Sequence, residues 1–164
     1  MRARSGVVAL VSAAVALLVA ACRTPPEPGY APGLGEIMTL TQMRHAKLWF
    51  AGEAGNWPLA EYELDELEEG FAGAVRFHPT HRDSPQPLTQ LVPEFTEIPL
   101  GELRAAVGRR DGAAFTAAYD LLTNACNGCH EAARFSFNVV ARPTANPYTN
   151  QRFEPPAPPR GAAP

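Results

Sequence analysis

Across 164 residues this chain holds three cysteines, three methionines and four histidines. Three cysteines cannot build the dense disulfide framework on which small secreted domains rely. The methionines are Met1, Met38 and Met43, so none follows residue 43. Convincing period-two alternation is missing, which argues against a β-sandwich or barrel. Positive charge is not in surplus either: Lys and Arg total 14 against 17 Asp and Glu, a formal net charge of −3. Such mild acidity argues against a nucleic-acid partner and leaves a basic protein surface open as one. Long uncharged apolar runs are confined to one place, residues 6–21.

That run follows Arg2 and Arg4 and ends on small residues, the layout of a bacterial export signal over residues 1–21. It is too short and too abruptly ended to be read first as a membrane-spanning helix. Val19-Ala20-Ala21-Cys22 resembles the lipobox of bacterial lipoproteins, in which the cysteine is lipidated. The alternative is an ordinary cleavage site that happens to have a cysteine beside it. A multiply acylated Cys22 would give the stable membrane anchor that one acyl chain cannot. Position 23 is Arg rather than the aspartate associated with inner-membrane retention, so the expected location is the periplasmic side of the outer membrane.

Residues 22–33 are rich in proline and poor in apolar anchors, and are expected to tether the lipid to a folded domain. From 34 to 141 the apolar spacing is helical. Leu34, Ile37, Met38, Thr41, His45, Leu48 and Trp49 follow the i, i+3, i+4, i+7 template. Asn56 is the expected cap of a second helix with Pro58 in its first turn and Trp57, Ala60, Leu64, Leu67, Phe71 and Val75 on one stripe. Glu61, Asp65, Glu68 and Glu69 face away, as a solvated surface or a docking patch. Five prolines from His78 through Pro99 predict a long crossover, with at most a helical turn at 88–92. A third helix is expected to begin near Pro99, and a fourth after Asp111. The tail over 142–164 is again proline-rich, with Tyr148 and Phe153 as the residues able to pin it. The expected fold is all-α: a four-helix bundle with a long second connection and Pro-rich tails.

Near the end of the fourth helix stands Cys126-Asn127-Gly128-Cys129-His130. Two thiols three residues apart followed by histidine form the C-x-x-C-H pattern of covalent c-type haem attachment. Each thiol adds to one porphyrin vinyl group, and the imidazole becomes the proximal iron ligand. Such attachment takes place outside the bacterial cytoplasm, the compartment to which the export signal points. The cysteine arithmetic also closes, with Cys22 on lipid and the other two on one haem.

The common small cytochrome c carries its motif early and an axial methionine late, which the methionine positions here exclude. Phe115-x-x-Ala118-Tyr119-x-x-Leu122-x-x-x-Cys126-x-x-Cys129-His130 on a last helix resembles the class II cytochromes c, the cytochrome c-prime and c-556 group. Arg44 to Gly52 and Asn56 to Ala60 are similar to a set of exported bacterial monohaem proteins. The resemblance implies haem among the helices and a distal side supplied by the first helix; it leaves a homodimer open. Met38, Gln42, His45 and Trp49 share one face of that helix, so His45 and Met38 compete as distal ligand, while Met43 points elsewhere. Arg44 and Lys47 flank the face as candidate propionate partners or as ordinary exposed cations. His78 and His81 have i, i+3 spacing but sit in a Pro-rich loop and read as surface residues.

Three functions are compatible with these residues. One is an electron carrier serving periplasmic redox partner proteins. The second is a haem protein binding NO or CO at an open distal site. The third is a haem-free C-x-x-C redox or zinc module, which lacks both the βαβ setting of the one and the fourth ligand of the other. No residue signature for catalysis stands out.

Overall fold

A computed structural model describes residues 29–157. The chain divides into Met1–Ala31 and Pro32–Pro164, and the second unit is the helical domain. The export signal, Cys22 and most of the expected tether lie outside the described residues. Four helices are present among those residues: α1 (Leu34–Glu53), α2 (Trp57–Phe77), α3 (Leu88–Arg109) and α4 (Gly112–Ala132). The domain is an all-α four-helix bundle.

Two tight turns make two antiparallel hairpins. Between α1 and α2 the chain reverses at Gly55, whose φ of 68° lies in the left-handed region, and Asn56 N–H returns to the Ala51 carbonyl at 2.9 Å. The Asn56 side chain accepts from Leu59 N–H, with Pro58 behind it in the first turn, as expected. Between α3 and α4 the reversal falls on Arg110 at φ 56°, and Asp111 accepts from Ala113 and Ala114 N–H at 3.1 and 3.0 Å.

The third helix departs from expectation. It begins at Leu88, about three turns before Pro99, and runs through both Pro93 and Pro99. The connection between α2 and α3 is therefore only residues 78–87. Each interior proline removes one helical hydrogen bond. What holds the helix across them is burial: Leu88, Leu91, Val92, Thr96, Pro99, Leu103, Ala106 and Val107 form a continuous inward face. Tertiary packing overrides a local breaker when enough apolar surface is at stake.

The core is built from Leu48, Trp49, Leu64, Leu67, Leu91, Leu103, Phe115, Tyr119 and Leu122. Where α1 meets α4 the helices approach closely, and a β-carbon at Gly52 would run into the Phe115 ring. The Pro-rich tail is laid over the bundle in extended form. Phe153 is buried against Phe50, with ring centroids 5.4 Å apart, and Tyr148 lies beside it. The domain thus continues past residue 141 to at least Phe153. The acidic face of α2 is partly paired, because Arg104 on α3 reaches Asp65 and Glu68 at 2.8 and 2.9 Å. Among the described residues no helix is long and apolar enough to cross a membrane.

Pro93 is exposed while the helix around it is buried on its other side. Replacing it by alanine restores the missing N–H, and Pro93→Ala is expected to stabilise the domain by about 1–3 kcal/mol. A urea midpoint raised at constant m-value would show it; an unchanged or lower midpoint would mean the proline ring is itself needed.

Candidate functional site

The two thiols of the C-x-x-C-H segment and its histidine line one cavity of about 240 Å³. The cavity lies where the N-terminal half of α1 meets the C-terminal end of α4. Its walls are mostly apolar, with Leu34, Leu67, Phe71, Leu88, Val92 and Phe135 among them. Met38, Thr41, Gln42 and His45 line it from α1. His81, from the connection between α2 and α3, completes one side.

Helical spacing sets this arrangement. Cys126 and Cys129 stand three residues apart on α4 and so share a face, with His130 one position beyond. Gly128 sits between them where α3 presses close: a β-carbon there would lie 2.8 Å from the Phe95 ring. Burial pushes the Cys126 thiol up to about 12, with the neighbouring Cys129 adding to the effect. Burial, then the carboxylate of Glu94, raises Cys129 as well. Reactive C-x-x-C cysteines show the opposite, a lowered pKa that populates the thiolate. These two thiols are free, not paired with each other.

His130 is oriented by the chain that follows it. After α4 the backbone doubles back, and His130 Nδ1 lies 2.7 Å from the Asn138 carbonyl. A carbonyl only accepts, so Nδ1 carries the proton and donates. In the neutral ring Nε2 is then a bare lone pair, the form in which imidazole binds a metal. An outer hydrogen bond of this kind is how ligating histidines are held in tautomer and orientation.

His45 is placed deeper and is fully engaged. Its Nε2 is 3.0 Å from Thr123 Oγ1 and its Nδ1 is 2.9 Å from the Tyr119 hydroxyl. The Tyr119 hydroxyl also reaches the His45 carbonyl at 3.0 Å, and Thr123 Oγ1 the Tyr119 carbonyl at 2.9 Å. A neutral ring and two hydroxyls supply three hydrogens to these four contacts, so one contact is always left without its proton. Burial lowers His45 to about 4. The imidazole also stacks on Tyr119 with centroids 4.4 Å apart.

The register of α1 against α4 follows from the same contacts. His45 lies against Tyr119 and Thr123, while Trp49 meets Phe115 and Tyr119. The helices are therefore antiparallel. Seven residues toward the start of α1, roughly 10 Å along the axis, Met38 comes level with the Cys126–His130 turn. Sequence spacing places Met38 and His45 on one face, and the register separates them in depth.

Arg44 and Lys47, read from sequence as propionate partners or as ordinary exposed cations, are not among the residues that line the cavity. Arg44 lies one residue round the helix from His45 and pairs with Glu63 at 3.1 Å and Glu66 at 2.7 Å on α2. Glu63 is fully buried, and burial raises its pKa against the pull of Arg44. Lys47 reaches over the Tyr148 ring. His78 is bound to the Pro32 carbonyl at 2.8 Å. His81, read from sequence as a surface residue, instead packs edge-on against Phe135 in the cavity wall. Its Pro-rich setting carried no signal for that placement.

Among the described residues no three His, Cys, Asp or Glu side chains are grouped to hold a metal ion by themselves. Cys126, Cys129 and His130 share a cavity without converging on one point, which is what a zinc site would demand. Set against known proteins, the chain matches no family model, no curated sequence and no solved structure.

The burial of neutral His45 has a pH consequence. Its folded pKa is depressed from 6.5 to about 4, so the unfolded chain binds the extra proton first. Stability is therefore full above pH 6.5 and falls as the pH drops toward 4, by on the order of 3 kcal/mol from this group. Chemical denaturation across that window should show the slope, and His45→Gln should flatten it. A slope unchanged by the substitution would assign the effect to the carboxylates instead.

Proposed function

We propose that this chain is an exported monohaem c-type cytochrome that carries electrons between periplasmic redox partner proteins. The observation that carries the reading is the placement of Cys126, Cys129 and His130 in the wall of one apolar cavity, with His130 Nδ1 committed to the Asn138 carbonyl. Covalent haem uses these groups separately: the thiols bond carbon, and only the imidazole meets iron. Raised thiol pKa values argue in the same direction, against a thiolate redox centre.

When bound, haem supplies the one-electron chemistry; the chain sets its ligation and surroundings. Cys126 and Cys129 would hold the porphyrin, and His130 would be the proximal ligand. On the opposite wall the two candidates separate. His45 has both ring nitrogens engaged and lies two turns deeper, so it would need to leave Tyr119 and Thr123 to ligate. Met38 stands level with the motif turn and lines the cavity. We assign Met38 as the distal ligand and His45 as a distal-pocket residue. Methionine in that position favours the reduced iron and raises the potential, as suits a carrier. The second reading, NO or CO binding, is favoured by one observation, the commitment of His45 to other partners. If Met38 also stays off the iron, the distal side is open.

The chain is further proposed to sit at the periplasmic face of a bacterial membrane through a lipidated Cys22, the outer membrane rather than the inner. A homodimer, which the resemblance to class II bundles leaves open, would show as a doubled solution mass.

Intact mass and the haemochrome spectrum of the exported protein test attachment. The expected result is one covalent haem, lost in the Cys126→Ser, Cys129→Ser double variant; a wild-type mass without haem would sink the proposal. Ferric and ferrous spectra with and without CO test the distal assignment. A low-spin form is expected, turning high-spin and CO-reactive in Met38→Ala and remaining low-spin in His45→Ala. The reverse pattern would return the role to His45, and CO binding by wild type at once would select the open-site reading. Cys22→Ser should release the protein from membranes.

A further inference from the structure

Asn127, the first of the two residues between the cysteines, makes a two-point contact with the chain beyond α4. Its Nδ2 donates to the Val140 carbonyl at 2.9 Å, and its Oδ1 accepts from Val140 N–H at 2.8 Å. Only one orientation of the carboxamide satisfies both bonds, so the oxygen and nitrogen are distinguished by the contact itself. The side chain acts here as a strand edge would, pairing one donor and one acceptor with a single residue of backbone.

The segment it grips is a wall of the cavity. Residues 134–140 leave α4 through Arg134, whose φ of 66° reverses the chain, and Phe135 N–H returns to the His130 carbonyl at 2.6 Å. Asn138 N–H then bonds the Phe135 carbonyl at 2.8 Å. Phe135, Asn138 and Val140 all line the cavity. Phe137 and Val139 alternate with them and stand 80% and 72% exposed, so burial of those two side chains does nothing to hold the strap down. Beyond the packing of Phe135 on His81 and its bond to the His130 carbonyl, the strap is held by the pair of bonds to Asn127 and, further on, the ion pair of Arg142 with Asp120, where Arg142 also covers the Trp49 ring.

The strap in turn delivers the Asn138 carbonyl to His130. We propose that Asn127 is the positioning residue of the site: by clamping Val140 it holds residues 134–140 against α4, so that the Asn138 carbonyl accepts the hydrogen bond from His130 Nδ1–H and the neutral ring keeps Nε2 unprotonated. The consequence for iron rests on the haem reading above; the clamp and the tautomer do not. A free neutral histidine favours the proton on Nε2, so the opposite tautomer requires a held acceptor. A stronger hydrogen bond at Nδ1 makes the imidazole a better donor to metal, which favours the oxidised ion and lowers the potential.

The experiment uses the full chain in two forms, with haem attached and expressed without haem maturation. Variants are Asn127→Ala, which removes the clamp from α4, and Val140→Pro, which removes the bonded N–H from the strap and leaves the helix untouched. Imidazole 15N shifts at alkaline pH report the His130 tautomer in the haem-free chain. Wild type is expected to carry the proton on Nδ1, and both variants to shift it largely to Nε2, with loss of amide-exchange protection at Asn138. In the haem-loaded protein both variants should keep covalent haem by mass and show a raised midpoint potential. A wild-type Nε2–H tautomer, or variants with wild-type tautomer and potential, would overturn the proposal. Should the wild type carry no haem by mass, the function reading fails, and the 15N shifts still decide the clamp. If Asn127→Ala does not fold, Val140→Pro carries the test alone.

Discussion

Everything about the site depends on how closely α1 is allowed to approach α4. The contact is made where Gly52 has no side chain and Phe115 takes the space, and it continues through Trp49, Tyr119 and His45. Close packing of this kind leaves no freedom to slide, because interiors fill space at crystal-like density and a one-residue shift would set rings against one another. The seam therefore fixes depth. It decides that His45 meets Tyr119 and Thr123 and that Met38 comes level with the cysteines. The depth at which α1 faces the cysteine motif is a property of this seam, not of either helix alone.

Most of the bundle was legible in the residues. The caps at Asn56 and Asp111 bond as their chemistry requires, and helical spacing marked α1, α2 and α4. The start of α3 was not legible, because Pro93 and Pro99 argue locally for a break and only the buried face opposite them argues for a helix. For the site, Cys126, Cys129 and His130 stand out in the sequence, and helical spacing puts Met38 and His45 on one face, which the structure turns to the same cavity. Their difference in depth was invisible, since periodicity gives angle around an axis and says nothing about register against a partner. Arg44 and Lys47 show the same limit from the other side. A cation beside an interior face can turn either way, and the buried Glu63 that captures Arg44 lies on another helix. The strap and His81 belong to irregular chain, where no repeat exists to be read.

Charge in this domain is used for fastening more than for display. Arg44 closes α1 on α2 through one buried and one half-buried carboxylate, Arg104 joins α2 to α3, and Arg142 ties the strap to α4. The last two are exposed and contribute little to stability by themselves. The Arg44–Glu63 pair differs, because removing Arg44 would strand the buried Glu63 carboxylate out of water, whereas Arg44 is part exposed and keeps Glu66. Among the described residues the cavity walls carry no Lys, Arg, Asp or Glu, which leaves histidine, threonine and amide groups as the polar lining. An occupant with acidic groups would have to keep them at the mouth, in reach of water.

The His45 network joins residues 74 and 78 positions apart along the chain. The two hairpins, by contrast, close through turns of two or three residues and need only local contacts. Loop-closure entropy favours forming such hairpins before bringing their distant faces together. By that ordering the seam would lock after the hairpins, and the cavity would acquire its final shape only at that step. Until then Cys126 and Cys129 lie on an α3–α4 hairpin whose inner face is still open to solvent, which is when a bulky group could reach both thiols without forcing two packed helices apart.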